Sequence, residues 1–99
     1  MATENENRAQ VNLDEAARLI AALEQDLKKV SGDSRDMQRL RDEVETLANV
    51  LRSPVRRHHW VAEGLHSTRE ALEHAVDTVV AQGIKGSQYI AEIGRILGL

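Results

Sequence analysis

The stretch that decides the fold runs from Leu13 to Leu51 and reads LDEAARLIAALEQDLKKVSGDSRDMQRLRDEVETLANVL. In its first half, apolar residues alternate at spacings of three and four positions, which places them in one narrow stripe on a helix. This stripe predicts a helix over residues 13–30, with Asn12 as its N-cap and Glu15 completing a capping box. The stripe consists of Leu13, Ala16, Ile20, Leu23, Leu27 and Val30.

The second half predicts another helix, over residues 34–51. If the first helix continued through Ser31-Gly32, its stripe would place Ser34 and Arg41 in the seam, whereas a restart after the turn makes every stripe position apolar. The sequence therefore predicts an antiparallel hairpin, with Ser31-Gly32 ending the first helix and Asp33 or Ser34 capping the second. The second stripe consists of Met37, Leu40, Val44, Leu47 and Leu51.

A long third helix is predicted over residues 54–82. Ser53 would be its N-cap and Pro54 its first residue, because proline lacks only a hydrogen bond that the first turn does not make. Gly83 followed by Ile84 is typical of a helix C-terminus. The apolar stripe keeps one phase along this segment and consists of Val61, Leu65, Leu72, Val76 and Val79.

Gly64 interrupts the third segment without changing the phase of its stripe. The constant phase favours one unbroken helix. The alternative is a kink at residues 64–67, because glycine inside a helix costs up to about 1 kcal/mol. A second stripe of small residues predicts a wide buried arc and a central position for this helix; it consists of Gly64, Ser67, Ala71, Ala75 and Thr78.

A short fourth helix is predicted over residues 87–97, with Tyr89, Ile90, Ile93, Ile96 and Leu97 on its apolar side. The expected fold is therefore all-α, a hairpin plus a long third and a short C-terminal helix with coiled-coil-like packing. Because the fourth helix is short, apolar surface should remain on the third, and self-association would bury it. We expect a homo-oligomer, preferably a dimer, with its contacts on Trp60, Gly64, Leu65, Ala71, Ala75, Ile90, Ile93 and Leu97.

Composition restricts the possible functions. The 99 residues carry 16 acidic and 13 basic side chains, no cysteine, no Phe, one Trp and one Tyr. This length predicts one domain, residues 12–99, behind a disordered segment of residues 1–11. The absence of cysteine excludes disulfides and thiolate chemistry. The net charge of −3 argues against a mainly nucleic-acid-binding protein.

The third segment carries a line of histidines and carboxylates at helical spacing: His59, Glu63, His66, Glu70 and His74. Glu-x-x-His is the local form that carboxylate metal sites in four-helix bundles use, and these ligands suit zinc, nickel, copper or iron. The line lies opposite the apolar stripe, so we prefer a solvated face with Glu–His pairs. A metal site at an oligomer interface is the alternative, and no cofactor is predicted. Protonation of all four histidines would move the net charge from −3 to +1, which suggests pH-dependent assembly.

A basic cluster precedes the only tryptophan, and its members Arg52, Arg56 and Arg57 could hold phosphates or nucleic acid. We prefer local ion pairing for these arginines and do not expect nucleic acid as a partner. For Trp60 the preferred interpretation is a packing anchor in the core or at an interface. The acids expected to pair with the arginines are Asp36, Asp42, Glu43 and Glu45.

No apolar run is long enough to cross a bilayer, and no signal peptide is visible, so we expect a cytoplasmic protein. The C-terminal segment GIKGSQYIAEIGRILGL is amphipathic, with Lys85 and Arg95 on its polar side. Docking onto the third helix is preferred over membrane-surface contact, because two cations give weak interfacial affinity.

Three stretches, LHSTREALE at residues 65–73, Gly83-Ile84 and IGRILG at residues 93–98, follow the hairpin in an order that resembles small, largely uncharacterised helical modules of bacteria. Those modules occur alone or attached to signalling and effector-associated proteins, and the resemblance implies no catalytic residues. No phosphate-binding loop or activated nucleophile is visible either, so we expect no enzymatic activity. The predicted function is a protein–protein interaction or oligomerisation module, acting as adaptor, regulator or scaffold. Metal binding or weak nucleic-acid binding is the alternative.

Overall fold

The computed structural model describes residues 4–30 and 34–99, with the side chains of residues 4–10 left out. Its helices are α1 (Glu4–Lys28), α2 (Arg35–Arg52), α3 (His58–Ala81) and α4 (Gly86–Leu97). The all-α prediction is confirmed. Short connections join consecutive helices, so each runs antiparallel to the one before it.

The four helices form a closed bundle about 50 Å long and 19 Å wide. α1 packs against α2 and α4, and α3 packs against the same two helices, so α1 and α3 occupy diagonal corners. α3 therefore lies between the hairpin and α4 as predicted. It is not central, however, because α4 also packs on α1 and closes the ring.

The predicted stripes of the hairpin form the core. Of the α1 stripe, Leu13 is half-buried and the other members are buried, and the whole α2 stripe is buried. Each fully buried aliphatic side chain contributes roughly 1.5–3 kcal/mol relative to an exposed one. The core residues of the two helices, together with Val30, which follows α1, are Ala16, Ile20, Leu23, Leu27, Val30, Met37, Leu40, Val44, Leu47, Ala48 and Leu51.

The start of α1 differs from the prediction. The helix begins at Glu4, so Asn12 lies inside it and the predicted N-cap is wrong. Residues 4–11 contain no glycine or proline to end a helix, and the backbone therefore continues beyond the apolar stripe. Residues 4–11 of the segment predicted to be disordered are helical, whereas residues 1–3 lie outside the described residues. The boundary of a domain at residue 12 stays a prediction.

The start of α2 was predicted correctly at Ser34. Its hydroxyl oxygen accepts a hydrogen bond from the Met37 backbone N–H at 3.2 Å, which satisfies one of the free donors of the first turn. The alternative cap Asp33 and the Ser31-Gly32 turn lie outside the described residues.

The predicted start of α3 at Ser53-Pro54 is wrong. Ser53 instead ends α2, where its N–H donates to the Val50 carbonyl, and its hydroxyl accepts from the Val55 N–H at 3.3 Å. α3 begins at His58. The reason is geometric: a helix starting at residue 54 would leave no chain with which to reverse direction after α2.

α3 is continuous across residues 64–67, so the predicted unbroken helix is confirmed. Gly64 faces α2, where an added Cβ would lie 3.1 Å from Leu47 Cδ1. The buried Thr68 hydroxyl donates to the Gly64 carbonyl at 2.7 Å. The glycine thus permits close packing of α2 on α3.

The end of α3 confirms the role predicted for Gly83. Its φ is +73°, and its N–H donates to the Val80 carbonyl. The Ile84 N–H donates to the Val79 carbonyl at 3.0 Å. These two bonds form a Schellman motif, which turns the chain toward α4.

The two serines give a direct test of the helix starts. Ser34→Ala should lower the free energy of unfolding by about 1 kcal/mol, because it removes a cap. Ser53→Ala should lower it by less than about 0.5 kcal/mol, because this serine caps no helix N-terminus. Urea denaturation measures both. Equal losses at the two positions would contradict the helix starts given above.

Candidate functional site

Large apolar side chains are exposed mainly at one end of the bundle. Among the residues whose side chains are described, five large apolar ones are exposed, and four of these lie at this end. They come from three separate parts of the chain, brought together by the contact of the α2–α3 loop with α1. We call this set the apolar end; it consists of Val11, Val55, Trp60 and Leu99.

A groove of about 290 Å³ opens at the apolar end. One wall is α1, the opposite wall is the beginning of α3, and the last residues of the chain close it where α4 stops. Leu13, Val61, Leu97 and Leu99 give the groove an apolar lining, and its polar lining residues are Asn12, Arg56 and His58.

Arg56 fixes the geometry of this end. Its side chain is only 13% exposed, and Nη1 donates to Asp14 Oδ1 at 2.6 Å and to the Leu51 carbonyl at 3.4 Å. The bond to Asp14 attaches the α2–α3 loop to α1, and the bond to Leu51 holds the loop against the end of α2. A charge-assisted hydrogen bond in this partly buried position is stronger than an exposed ion pair.

The other arginines of the predicted phosphate cluster are also engaged. Arg52 Nη2 pairs with Glu24 Oε1 at 2.5 Å. The guanidinium of Arg57 lies 5.2 Å from the centroid of the Trp60 ring. The structure thus favours local pairing over a phosphate site for Arg52 and Arg56. Their partners are on α1, however, and not the four α2 acids that the sequence suggested.

Trp60 is 43% exposed, so its interpretation as a core anchor is wrong. Arg57 covers its ring, and the His59 ring meets it edge-on at a centroid distance of 5.7 Å. A cation over a tryptophan at an exposed site contributes about 0.5–1 kcal/mol. The side chain is therefore oriented by neighbours of its own helix, and its role as an interface anchor stays a prediction.

The five residues of the histidine and carboxylate line are all exposed. Glu70 pairs with His66 Nε2 at 3.3 Å and with Arg39 Nη2 of α2 at 3.6 Å. In the described part of the chain, no group of three or more His, Asp or Glu side chains could hold a metal ion. The structure therefore does not assemble His59, Glu63, His66, Glu70 and His74 into a metal site within one chain.

Most of the predicted contact residues are used by the chain's own core. Leu65, Ala71, Ala75, Ile90 and Ile93 are buried, so assigning them to a partner surface is wrong. The cause is the closed ring: α2 and α4 cover the small-residue face of α3.

The remaining three predicted contact residues are accessible to different degrees. Gly64 is half-buried against Leu47, and Leu97 is half-buried in the groove. Only Trp60 is exposed. Sequence analysis did not identify Val11, Val55 and Leu99 as exposed contact residues. A signal was present in the sequence: these three apolar residues lie outside every predicted helical stripe, so no place in the core was predicted for them.

Arg69 fixes the end of α4 beside the groove. Its Nη2 donates to the Leu99 carbonyl at 3.3 Å, and a Cβ added to Gly94 would overlap this guanidinium. Gly98, with φ +71°, lets the Leu99 N–H donate to the Gly94 carbonyl at 2.8 Å. These bonds place Leu99 at the groove.

The outer face of α4 carries an ion pair between Arg95 and Glu92. Arg95 donates two hydrogen bonds to the carboxylate of Glu92, which lowers the pKa of Glu92 and raises that of Arg95. One of the two cations proposed for membrane contact, Arg95, is thereby paired. No helix in the described residues is long and apolar enough to span a membrane.

Comparison of the chain with models of protein families, with curated proteins and with solved structures gave no match. The resemblance to bacterial helical modules therefore stays a prediction, and function is argued from the surface described above.

Arg69 and Gly94 should act together. Arg69→Ala should accelerate hydrogen exchange at the Leu99 amide about two- to fivefold, because the last turn loses a bond. In a Gly94→Ala background, in which the new methyl displaces the guanidinium, Arg69→Ala should have no further effect.

Arg95→Ala is the matched control, since the Arg95 side chain pairs with Glu92 and not with Arg69 or Leu99, and the substitution should have the same effect in both backgrounds. NMR exchange rates measure all variants. Additive effects of Arg69→Ala and Gly94→Ala would show that Gly94 does not make room for Arg69.

Proposed function

We propose that this protein is a non-enzymatic helical interaction module that self-associates through its apolar end. The observation that carries the proposal is the concentration of exposed large apolar side chains at one end, next to a groove. Apolar surface of this kind, bordered by polar residues, is typical of protein contact sites.

The packing within the bundle supports this choice of surface. The apolar stripes of all four helices contribute to a single core, so the long faces of the bundle offer little apolar area to a partner. An end-to-end contact would bury Trp60, Val55 and Leu99 of both copies. The same patch on each copy makes a two-fold dimer the simplest closed assembly.

Tryptophan suits such a role. It buries a large area with few rotatable bonds and is enriched among residues that dominate interface energies. Arg57 and His59 already restrict the Trp60 ring, so less conformational entropy would be lost on contact.

In the cell, we assign the dimer an adaptor, regulator or scaffold role in the cytoplasm of a bacterium. This assignment rests on the resemblance and on the sequence-based expectation of a cytoplasmic protein given above. The proposal gives no residue a catalytic function.

Light scattering over a range of concentrations tests the proposal. The wild-type chain should have the mass of a dimer and dissociate on dilution. Trp60→Lys should weaken the dimer at least about thirtyfold, because it removes an aromatic anchor and places like charges opposite each other.

Val80→Lys is the matched control. Val80 is the large exposed apolar residue outside the apolar end, 66% exposed near the end of α3, so its substitution should leave the dimer unchanged. Leu99→Lys should dissociate the dimer and shift the Trp60 emission to that of the diluted wild type. A monomeric wild type at all concentrations, or equal effects at Trp60 and Val80, would refute the proposal.

A further inference from the structure

We infer that the first two turns of α1, residues Glu4–Val11, of one copy occupy the groove of a second copy. We call this segment the arm. The inference rests on the proposed self-association and identifies the occupant of the groove as a named segment of the same chain.

The arm extends beyond the place where α4 stops. Asn12 and Leu13 of α1 line the groove together with Leu97 and Leu99 at the end of α4. The arm precedes these residues and is helical from Glu4. Eight helical residues span about 12 Å. Over that length α1 continues without α4 beside it, and Val11 is exposed.

Chain direction favours the arm as occupant. α4 runs antiparallel to both α1 and α3: it starts with Gly86 near Leu23 and Val79 and ends near Leu13 and Val61. In a two-fold dimer joined at the apolar ends, the second copy's α1 runs opposite to the first copy's α1, in the direction of α4. Its arm would therefore continue the row of α4 and restore the alternating helix directions of the bundle.

A chain cannot fill its own groove in this way. The arm is continuous with the rest of α1, so it follows the axis of that helix and cannot fold back between α1 and α3. In a dimer, each copy provides one arm and one groove. Two identical contacts then form, as a closed two-fold interface requires.

Charge supports the same pairing. The arm sequence ENENRAQV contains Glu4 and Glu6 and a single cation, Arg8. Arg57, a cation, directly precedes the groove residue His58, while the Asp14 carboxylate of α1 is bound by Arg56. The arm, whose net charge is −1, would therefore meet a cation at the edge of the groove, and complementary charge favours this orientation over others.

A charge exchange in the full chain tests the inference. Glu4→Lys with Glu6→Lys should weaken the dimer at least about tenfold, because the net charge of the arm changes from −1 to +3 beside the cation Arg57. Arg57→Glu with His58→Glu should also weaken it. The variant with all four changes should recover to within about threefold of the wild type. Analytical ultracentrifugation over a concentration series measures each dissociation constant.

The control is Glu73→Lys with Asp77→Lys, two exposed acids on α3 away from the apolar end, which should leave the dissociation constant unchanged. If the arm variant dimerises like the wild type while Trp60→Lys does not dimerise, the arm is not the occupant and the proposed function stands. Failure of the four-change variant to recover would also overturn the inference. A wild-type chain that is always monomeric would overturn both.

Discussion

A four-helix bundle is closed only over the length where all four helices are present, and here α4 sets that length. It has 12 residues, whereas α1 has 25 and α3 has 24. Both ends of α4 are fixed: added Cβ atoms at Gly86 would lie 3.1–3.2 Å from Leu72 and Val79, and Gly94 makes room for Arg69. Because α4 cannot slide along its neighbours, the position of its last turn decides where the groove opens.

The same constraint explains the arrangement of charge. Where α4 is present, apolar contacts hold the helices together. Near the apolar end, the ion pair of Arg56 with Asp14 attaches the α2–α3 loop to α1, and Arg52, the last residue of α2, pairs with Glu24 farther along α1. Arg56 is the important one, since it is largely buried and also bonds a backbone carbonyl, whereas exposed pairs contribute little. The basic cluster thus has a structural role in positioning the loop that carries Val55.

The sequence was sufficient for features that depend on local periodicity. The stripes of α1 and α2, the cap at Ser34, the turn at Gly83 and the continuity of α3 across Gly64 all follow from residues within a few positions of one another. A local signal gave the wrong helix start where it conflicted with a requirement of the fold. Ser53-Pro54 has the form of a helix start, but a reversal of the chain was needed there.

The candidate site was harder to predict from the sequence than the helices were, because it depends on how one helix is placed along another. Asp14 and Arg56 are 42 positions apart, and no spacing rule connects them. Periodicity likewise assigned Leu65, Ala71 and Ala75 of the predicted buried arc of α3 to a partner surface, since it could not show how completely α2 and α4 would cover them.

The exposure of Trp60 is explained by the composition of the core. The buried residues of all four helices are aliphatic apart from Met37, Thr68 and the glycines, and they leave no buried position for an indole. The large aromatic side chain of Trp60 therefore remains at the surface. Exposure of its apolar area to water is unfavourable in free energy, and burial of that area against a partner is favourable. In this fold that area lies beside the groove left by the short α4. The last turn of α4, where the closed bundle ends, and Trp60, the residue best suited to bind a partner, therefore lie at the same end of the molecule.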